Sequence, residues 1–277
     1  MRGAWAVCKR EFASYFTTPV GYVVLGVYAT ITGLGFVASF LYYARITQSP
    51  ADFDYQGVPD LEETMLSPFL IFCGQMVLFI TPLITMRLLA EEKNRGTMEL
   101  LLTHPLRDRD IILGKYFAAL AMAFLLMIVV GVHMGLVAWL TTVEPAVLVF
   151  GLLAVFLMSA AFLSLGLFIS AATRNQVTAA TVTLGAFFLS YVLGSMGKDL
   201  SPANPAPESW SEGVRNMVGF VYGLFHQIVQ ELPVDAHAQN MTQGIVEPAD
   251  LAYYEVFAAF FLFLTFRALE ARLWRST

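Results

Sequence analysis

Six long apolar runs divide this chain of 277 residues, and they constrain its fold more than any other feature. The runs cover about 20–43, 66–89, 111–140, 146–172, 177–196 and 251–269. A helix needs about 20 apolar residues to cross the hydrocarbon core of a bilayer, where backbone groups must be hydrogen-bonded internally. Only 13% of the residues are charged, whereas soluble domains have about a quarter. The sequence therefore predicts an all-α polytopic membrane protein, with six transmembrane helices in a single domain over residues 1–277.

The N-terminal segment, residues 1–18, alternates apolar and basic residues at helical spacing. One side carries Trp5, Cys8, Phe12 and Tyr15, and the other side carries Arg2, Lys9 and Arg10. A helix of this kind lies in the membrane interface, with its cations near lipid phosphates. The pattern predicts an interfacial helix that contacts membrane lipids.

The Lys and Arg residues are distributed unevenly between the two sides that six spans would create. Of the 16, 13 fall in the N-terminal segment, in the intervals after the second and fourth runs, and in the C-terminal tail. The loops 45–65 and 197–250 hold the other 3. Because Lys- and Arg-rich segments stay in the cytoplasm during insertion, both termini are predicted to be cytoplasmic and both loops to lie outside.

The second outer loop contains a further amphipathic pattern over residues 208–232. Apolar residues recur three and four apart from Trp210 to Leu232, with polar residues over the rest of the circumference. This spacing predicts a helix. The pattern is compatible with a helix on the outer membrane surface and with one that dips part-way in.

Two glycines in the third run, Gly131 and Gly135, have the small-xxx-small spacing used for close contact between membrane helices. They are therefore predicted to be helix-packing residues.

The polar interval between the second and third runs, residues 87–115, carries six of the 16 Lys and Arg residues. Gly96 ends the preceding helix, Thr97 can cap a new one, and Glu99 in its first turn suits the positive end of the helix dipole. Pro105 then stops this helix. Its apolar residues are Leu100, Leu101 and Leu102. The interval predicts a short cytoplasmic helix whose exposed leucines bind a partner.

Nothing in the sequence predicts catalysis by this chain. The pair Gly114-Lys115 is followed by Tyr116 and lacks the upstream glycine of a phosphate-binding loop. The four histidines do not cluster at metal-ligand spacing, and no basic stripe interleaved with aromatic residues indicates nucleic acid. No metal, no cofactor and no nucleic acid partner is predicted.

Four segments resemble the permease subunits of type-2 ATP-binding-cassette (ABC) exporters, most closely the gliding-motility and copper-enzyme-maturation branch. The segments are KREFASYFTTPVGY (9–22), PLITMRLLAEEKNRGTMELLLTHPLRDRDIILGK (82–115), AAFLSLGLFISAATRNQ (160–176) and GIVEPADLAYYEVFAAFFLFLTFRALEARLW (244–274). The second is the most specific, because it combines polar and apolar requirements that an ordinary membrane loop would not meet.

This resemblance implies a location in the bacterial inner membrane, an N-terminal elbow helix and a coupling helix that docks on an ATP-binding subunit. The matching coupling residues are Glu91, Glu92, Gly96, Thr97, Glu99, Leu100, Leu101 and Leu102, and a second contact would come from Arg174 and Asn175. Glu91 and Glu92 would pair with basic residues of the ATPase. The resemblance also implies two copies of that subunit, which bind ATP and Mg, and a second permease, either identical or related. An extracytoplasmic accessory protein is a further possible partner.

The function predicted from these features is that of a permease subunit that couples ATP hydrolysis by its partner to export of a substrate. A non-transporting subunit that transmits force to an extracytoplasmic machine remains an alternative. A secondary transporter driven by ions is disfavoured, because it would need buried carboxylates at mid-span, whereas Glu and Asp here lie in loops or at span ends. The substrate cannot be read from the sequence.

Overall fold

The computed structural model describes residues 2–53, 57–94, 107–207 and 209–273. Every element of regular secondary structure in this part of the chain is a helix. Within it, six helices are long and apolar enough to cross a membrane. The predicted all-α class with six membrane-spanning helices is therefore confirmed, and the chain is a multi-pass membrane protein.

The α-helices of the described residues, numbered in chain order, comprise six spans and four shorter segments. The first to sixth spans are α2 (Val20–Gln48), α3 (Ser67–Thr85), α5 (Asp108–Leu140), α6 (Pro145–Ala172), α7 (Gln176–Asp199) and α10 (Pro248–Leu273). The shorter helices are α1 (Arg2–Thr17), α4 (Ala90–Asn94), α8 (Glu212–Glu231) and α9 (Gln239–Thr242). A π-helical turn, Glu62–Leu66, leads into the second span.

The second and fourth spans form the centre of the bundle. In the most apolar stretch of each of these two spans, 61% and 50% of the residues are buried within the chain. The corresponding share is 17% in the first, fifth and sixth spans. The two central spans approach closely at Gly166, where an added Cβ would lie 2.5 Å from the hydroxyl of Thr85. The outer spans instead expose apolar side chains such as Leu34, Val177 and Val256, as lipid contact requires.

The bundle has two chemically different ends. At one end, called the basic end here, α1 meets the end of the second span and the start of the third, and this end carries Arg10, Arg87, Lys93 and Lys115. At the opposite end, α9 and a short 3₁₀ turn, Ala236–Ala238, contact the starts of the second, fourth and sixth spans, and α8 packs against the end of the fifth span. Six antiparallel crossings place the start of the first span and the end of the sixth at the basic end.

Helix α1 packs against the chain with part of its predicted apolar side. Cys8 and Tyr15 are buried, but Trp5 remains 70% exposed. Gly114 of the third span gives the closest approach, because an added Cβ there would lie 2.7 Å from the carbonyl oxygen of Ala4. The position of α1 in a membrane interface stays a prediction.

The amphipathic helix α8 is attached to the chain through its polar side. The hydroxyl of Tyr222 donates to the carbonyl of Ser201 at 2.6 Å, and the amide of Gln230 donates to the carbonyl of Gly197 at 2.7 Å. Apolar side chains on its other side are exposed, including Met217, Phe220 and Val221. Its predicted position, on the outer membrane surface or part-way into it, stays a prediction.

Gly131 and Gly135 make no close approach to another span among the described residues. Apart from their own helix, no described atom lies within 4 Å of a Cβ built at either glycine. Their predicted role in helix packing therefore concerns contact with another chain, and it stays a prediction.

Candidate coupling site

The second span is interrupted at the basic end, and the chain restarts as the short helix α4. The first residues of a helix have N–H groups without intrahelical acceptors. Here the buried hydroxyl oxygen of Ser170, near the end of the fourth span, accepts from the N–H of Leu89 at 3.1 Å and of Ala90 at 3.0 Å. A side chain distant in sequence therefore caps α4 and joins it to the fourth span.

Lys93 of α4 makes the reciprocal contact. Its ammonium group donates to the carbonyls of Ser170 and Thr173, each at 3.4 Å, and to the carbonyl of Ala171. The last carbonyls of a helix lack intrahelical donors and form the negative end of its dipole, so a cation is stabilising there. These two sets of contacts, the Ser170–Lys93 clasp, join the start of α4 to the end of the fourth span.

A second contact at this end is a compact ion cluster around Lys115. Its ammonium group lies 2.9 Å from the carboxylate of Glu92 and 3.1 Å from that of Glu11. Arg10 lies 2.7 Å from Glu11 and 3.6 Å from Glu92. The Lys115 cluster, formed by these four residues, therefore connects α1, α4 and the third span.

The charges of the Lys115 cluster balance, with two cations and two carboxylates. Lys115 is only 1% exposed, and burial of a charge is costly unless it is paired. Burial alone would raise the pKa of Glu11, but the ammonium of Lys115 and the guanidinium of Arg10 together bring this pKa below its ordinary value. The carboxylate of Glu11 therefore stays ionised at neutral pH.

A further ion pair extends the contact between the second span and α1. Arg87 pairs with Glu91 at 2.9 Å and donates to the hydroxyl of Thr18 at 3.4 Å. The hydroxyl of the buried Tyr15 donates to the carbonyl of Ile84 at 3.3 Å. A polar cavity of about 340 Å³ lies between these elements, so α1 meets the second span through polar as well as apolar contacts.

The structure brings together several of the predicted coupling residues. Glu91 and Glu92 both lie on α4 and have partners within this chain, so their predicted pairing with an ATPase remains a prediction. The turn between the fourth and fifth spans lies beside α4, because Lys93 of α4 donates to the carbonyl of Thr173 in that turn. In that turn Arg174 is exposed, and the side chain of Asn175 caps the fifth span by accepting from the N–H of Val177 at 2.9 Å.

The remaining predicted coupling residues lie outside the part of the chain that the structure describes. They are Gly96, Thr97, Glu99, Leu100, Leu101 and Leu102.

A model of the ABC-2 family transporter proteins matches residues 5–269 of the chain, which is nearly its whole length. The chain belongs to this family. No curated protein matches it in sequence. The ABC-2 protein is therefore a permease component of an ABC transporter, it is not itself an ATPase, and it works with an ABC ATP-binding subunit.

Three residues of this ABC-2 permease that join the coupling elements were not predicted from its sequence. In the sequence Lys115 belongs to an incomplete phosphate-loop pattern, and Ser170 is one of several small residues near the end of the fourth run. Glu11 is a single acidic residue in a basic segment. The available sequence signal for Lys115 and Glu11 is that each is a charged residue at the edge of an apolar segment. Such a charge needs a partner when helices pack.

The described part of the ABC-2 permease contains no group of three or more His, Cys, Asp or Glu side chains that could hold a metal. His133, in the third span, contacts the carbonyl of Val129 one turn earlier in its own helix at 2.8 Å. His237 contacts Asp250 at 2.9 Å, at the opposite end from α4. These contacts indicate structural roles for both histidines.

Replacing Ser170 with Ala should destabilise the ABC-2 permease by about 1–3 kcal/mol, because two buried N–H groups lose their acceptor. The loss can be measured by denaturant unfolding in mixed micelles. Ser159→Ala is the matched control: Ser159 is buried in the same span, but its hydroxyl donates only to the Val155 carbonyl of its own helix. Equal losses for the two variants would show that Ser170 does not hold α4.

Proposed function

We propose that this ABC-2 permease is the transmembrane half of an ATP-driven exporter in the bacterial inner membrane. Its ATPase partner would act on residues 97–103, and α4 would carry the displacement to the spans. The observation that carries this proposal is the double attachment of α4, through the Ser170–Lys93 clasp and through the Lys115 cluster. A movement delivered to α4 therefore reaches three other helices directly.

The charge distribution supports a cytoplasmic position for the basic end. Five cations lie there, Arg10, Arg87, Lys93, Lys115 and Arg174, and Lys- and Arg-rich segments stay in the cytoplasm. This orientation gives a soluble ATPase access to α4 and to the adjacent turn at Arg174 and Asn175. It also places α8 and α9 outside the cytoplasm.

The mechanism follows from the attachments. Closure of two ATPase subunits on ATP and Mg would push the coupling residues 97–103, and α4 would move with them. The clasp passes this movement to the fourth span, and the Lys115 cluster passes it to α1 and the third span. Tilting of these spans would then open a path for substrate.

The proposed complex contains two permeases and two ATPase subunits. Each permease is a single domain over residues 1–277. The face of the third span around Gly131 and Gly135 is open in this chain, which leaves room for the second permease, an identical or related chain. The motif at 82–115 supports the gliding-motility and copper-enzyme-maturation branch. No described contact favours a purely mechanical role without transport.

The test is to co-express the permease with an ABC ATP-binding subunit from the same genome and to replace Glu99 with Ala and Leu101 with Lys together. We expect at least tenfold weaker co-purification, because Leu101→Lys places a charge in an apolar contact, where a few kcal/mol correspond to such a change. ATP hydrolysis by the co-purified complex should fall with it.

The matched control makes the same chemical changes at the opposite end, as Glu144→Ala with Leu140→Lys. Both side chains are exposed there, and no ATPase would reach them under the proposed orientation. Normal assembly and ATP hydrolysis by the Glu99 and Leu101 variant would contradict the coupling role. Loss of assembly only in the control would contradict the orientation.

A further inference from the structure

A second polar cavity, of about 480 Å³, lies at the opposite end of the bundle from the Lys115 cluster. Its walls come from the second span, the fifth span and the loop that contains α9. Its lining residues are Glu63, Ser67, Pro68, Ile71, Phe72, Gln75, Tyr191, Ser195, Asp235, Gln239 and Gln243. Sites for small organic molecules in proteins have volumes of about 300–1,000 Å³, so this cavity is large enough for one.

The charge of the lining points to the sign of a ligand. Glu63 and Asp235 supply two carboxylates, and the described lining contains no Lys, Arg or His side chain. Phe72 and Tyr191 add two aromatic rings, whose faces attract cations. A cation is favoured in such surroundings, whereas an anion is repelled.

The second span and the turn before it contribute two polar side chains to this cavity, those of Gln75 and Glu63. Gln75 lies in an apolar span, where an amide needs a partner, and it donates to the carboxylate of Asp235 at 3.1 Å. Glu63 lies in the π-helical turn Glu62–Leu66 at the start of the same span. Single π-helical turns occur often at functional sites, because the wider turn redirects side chains.

The amides of Gln239 and Gln243 and the hydroxyls of Tyr191 and Ser195 provide both donors and acceptors. A simple inorganic cation would not require these groups together with the aromatic rings. We propose that this cavity binds a small organic cation with protonated amino groups, held by Asp235 and Glu63. The lining residues of this site belong to one chain and lie at the opposite end of the bundle from α4.

The inference can be tested by isothermal titration calorimetry of the full chain, purified in an uncharged detergent, with spermidine as the probe. The neutral polyol sorbitol and the dianion succinate are the comparison ligands. Asp235→Asn and Glu63→Gln should each weaken spermidine binding about tenfold, since a hydrogen bond to a charged group contributes that much. Ser195→Phe should abolish it by filling the cavity without changing its charge.

Glu212→Gln is the matched control, because Glu212 is an exposed carboxylate of α8 outside the cavity. Saturable binding of spermidine, but not of sorbitol or succinate, that is lost in the cavity variants and kept in Glu212→Gln supports the site. Absence of binding to the unmodified chain overturns it. Equal weakening by Glu212→Gln, or full binding by Ser195→Phe, also overturns it, because the cation would then bind surface charge. Glu63 is exposed, so its variant remains informative if Asp235→Asn fails to fold.

Discussion

Replacing Lys115 with Met should destabilise the permease by about 3–5 kcal/mol, the usual cost of removing one partner from a buried ion pair. The carboxylates of Glu11 and Glu92 both bond the Lys115 ammonium. Without it these carboxylates lose their buried cation and repel each other, and Arg10 beside them has a side chain that is 57% exposed. The effect can be measured as the free energy of unfolding in mixed micelles at neutral pH.

Lys9→Met is the matched control for Lys115→Met, because Lys9 is an exposed lysine of α1. It makes the same change in net charge and should alter the unfolding free energy by less than about 0.5 kcal/mol. Adding Glu11→Gln to Lys115→Met should recover part of the loss, because one of the two repelling carboxylates is removed. Equal effects of Lys9→Met and Lys115→Met would contradict the cluster.

The Lys115 effect should depend on pH in a defined direction. The pKa of Glu11 is lowered in the folded chain, since the nearby cations outweigh burial. Its contribution to stability is therefore complete above the unfolded-state pKa and is lost as the pH falls through the lower, folded-state pKa. The difference between the unmodified chain and Lys115→Met should be largest at neutral pH and should shrink in that acid range.

Replacing Gly114 with Val should detach α1 from the third span. The new side chain would begin 2.7 Å from the carbonyl oxygen of Ala4 and 2.7 Å from the Cβ of Val7, and backbone cannot yield as a flexible side chain can. Overpacking costs about 1–3 kcal/mol, which corresponds to a roughly tenfold to hundredfold larger population of detached α1.

Cys8 provides the readout for this detachment, because it lies on α1, is a free thiol and is only 7% exposed. Burial also raises its pKa and so lowers the fraction of reactive thiolate. Maleimide labelling of Cys8, followed by mass spectrometry, should accelerate at least about tenfold in Gly114→Val. Cys73 is fully buried in the second span and should label slowly in both proteins.

Gly26→Val is the control for Gly114→Val. It makes the same substitution within a span, but no atom lies within 4 Å of a Cβ built at Gly26. It should leave the labelling rate of Cys8 unchanged. Unchanged labelling of Cys8 in Gly114→Val would show that α1 does not depend on this close approach.

The spans could be predicted from the sequence because their existence depends on the apolar length of a single segment. Lipid imposes that length whatever the neighbouring helices do. The cap of the fifth span by Asn175 could also have been predicted, since an N-cap residue acts on N–H groups two or three positions ahead. Features of this kind are local, and one stretch of sequence contains all their determinants.

The contacts of the coupling site could not be predicted, because they depend on how helices are rotated and positioned against one another. Ser170 caps a helix 80 residues earlier in the chain, and no local pattern relates the two. Lys115 bonds Glu11 and Glu92 only because α1 and α4 both pack at the start of the third span. The cavity at Asp235 and Gln75 joins residues 160 positions apart in the same way.

The reciprocal capping by Ser170 and Lys93 has a geometric consequence for how the bundle can deform. If α4 slid along the fourth span, the N–H groups at the start of α4 would lose their acceptor, Ser170. The carbonyls at the end of the fourth span would lose their donor, Lys93, at the same time. Separation at this joint is thus steeply resisted, whereas rotation of the two elements together leaves every bond in place. The two elements therefore move as one rigid unit. Bending must occur further along the second span, where Pro82 has no N–H to donate to a helical hydrogen bond.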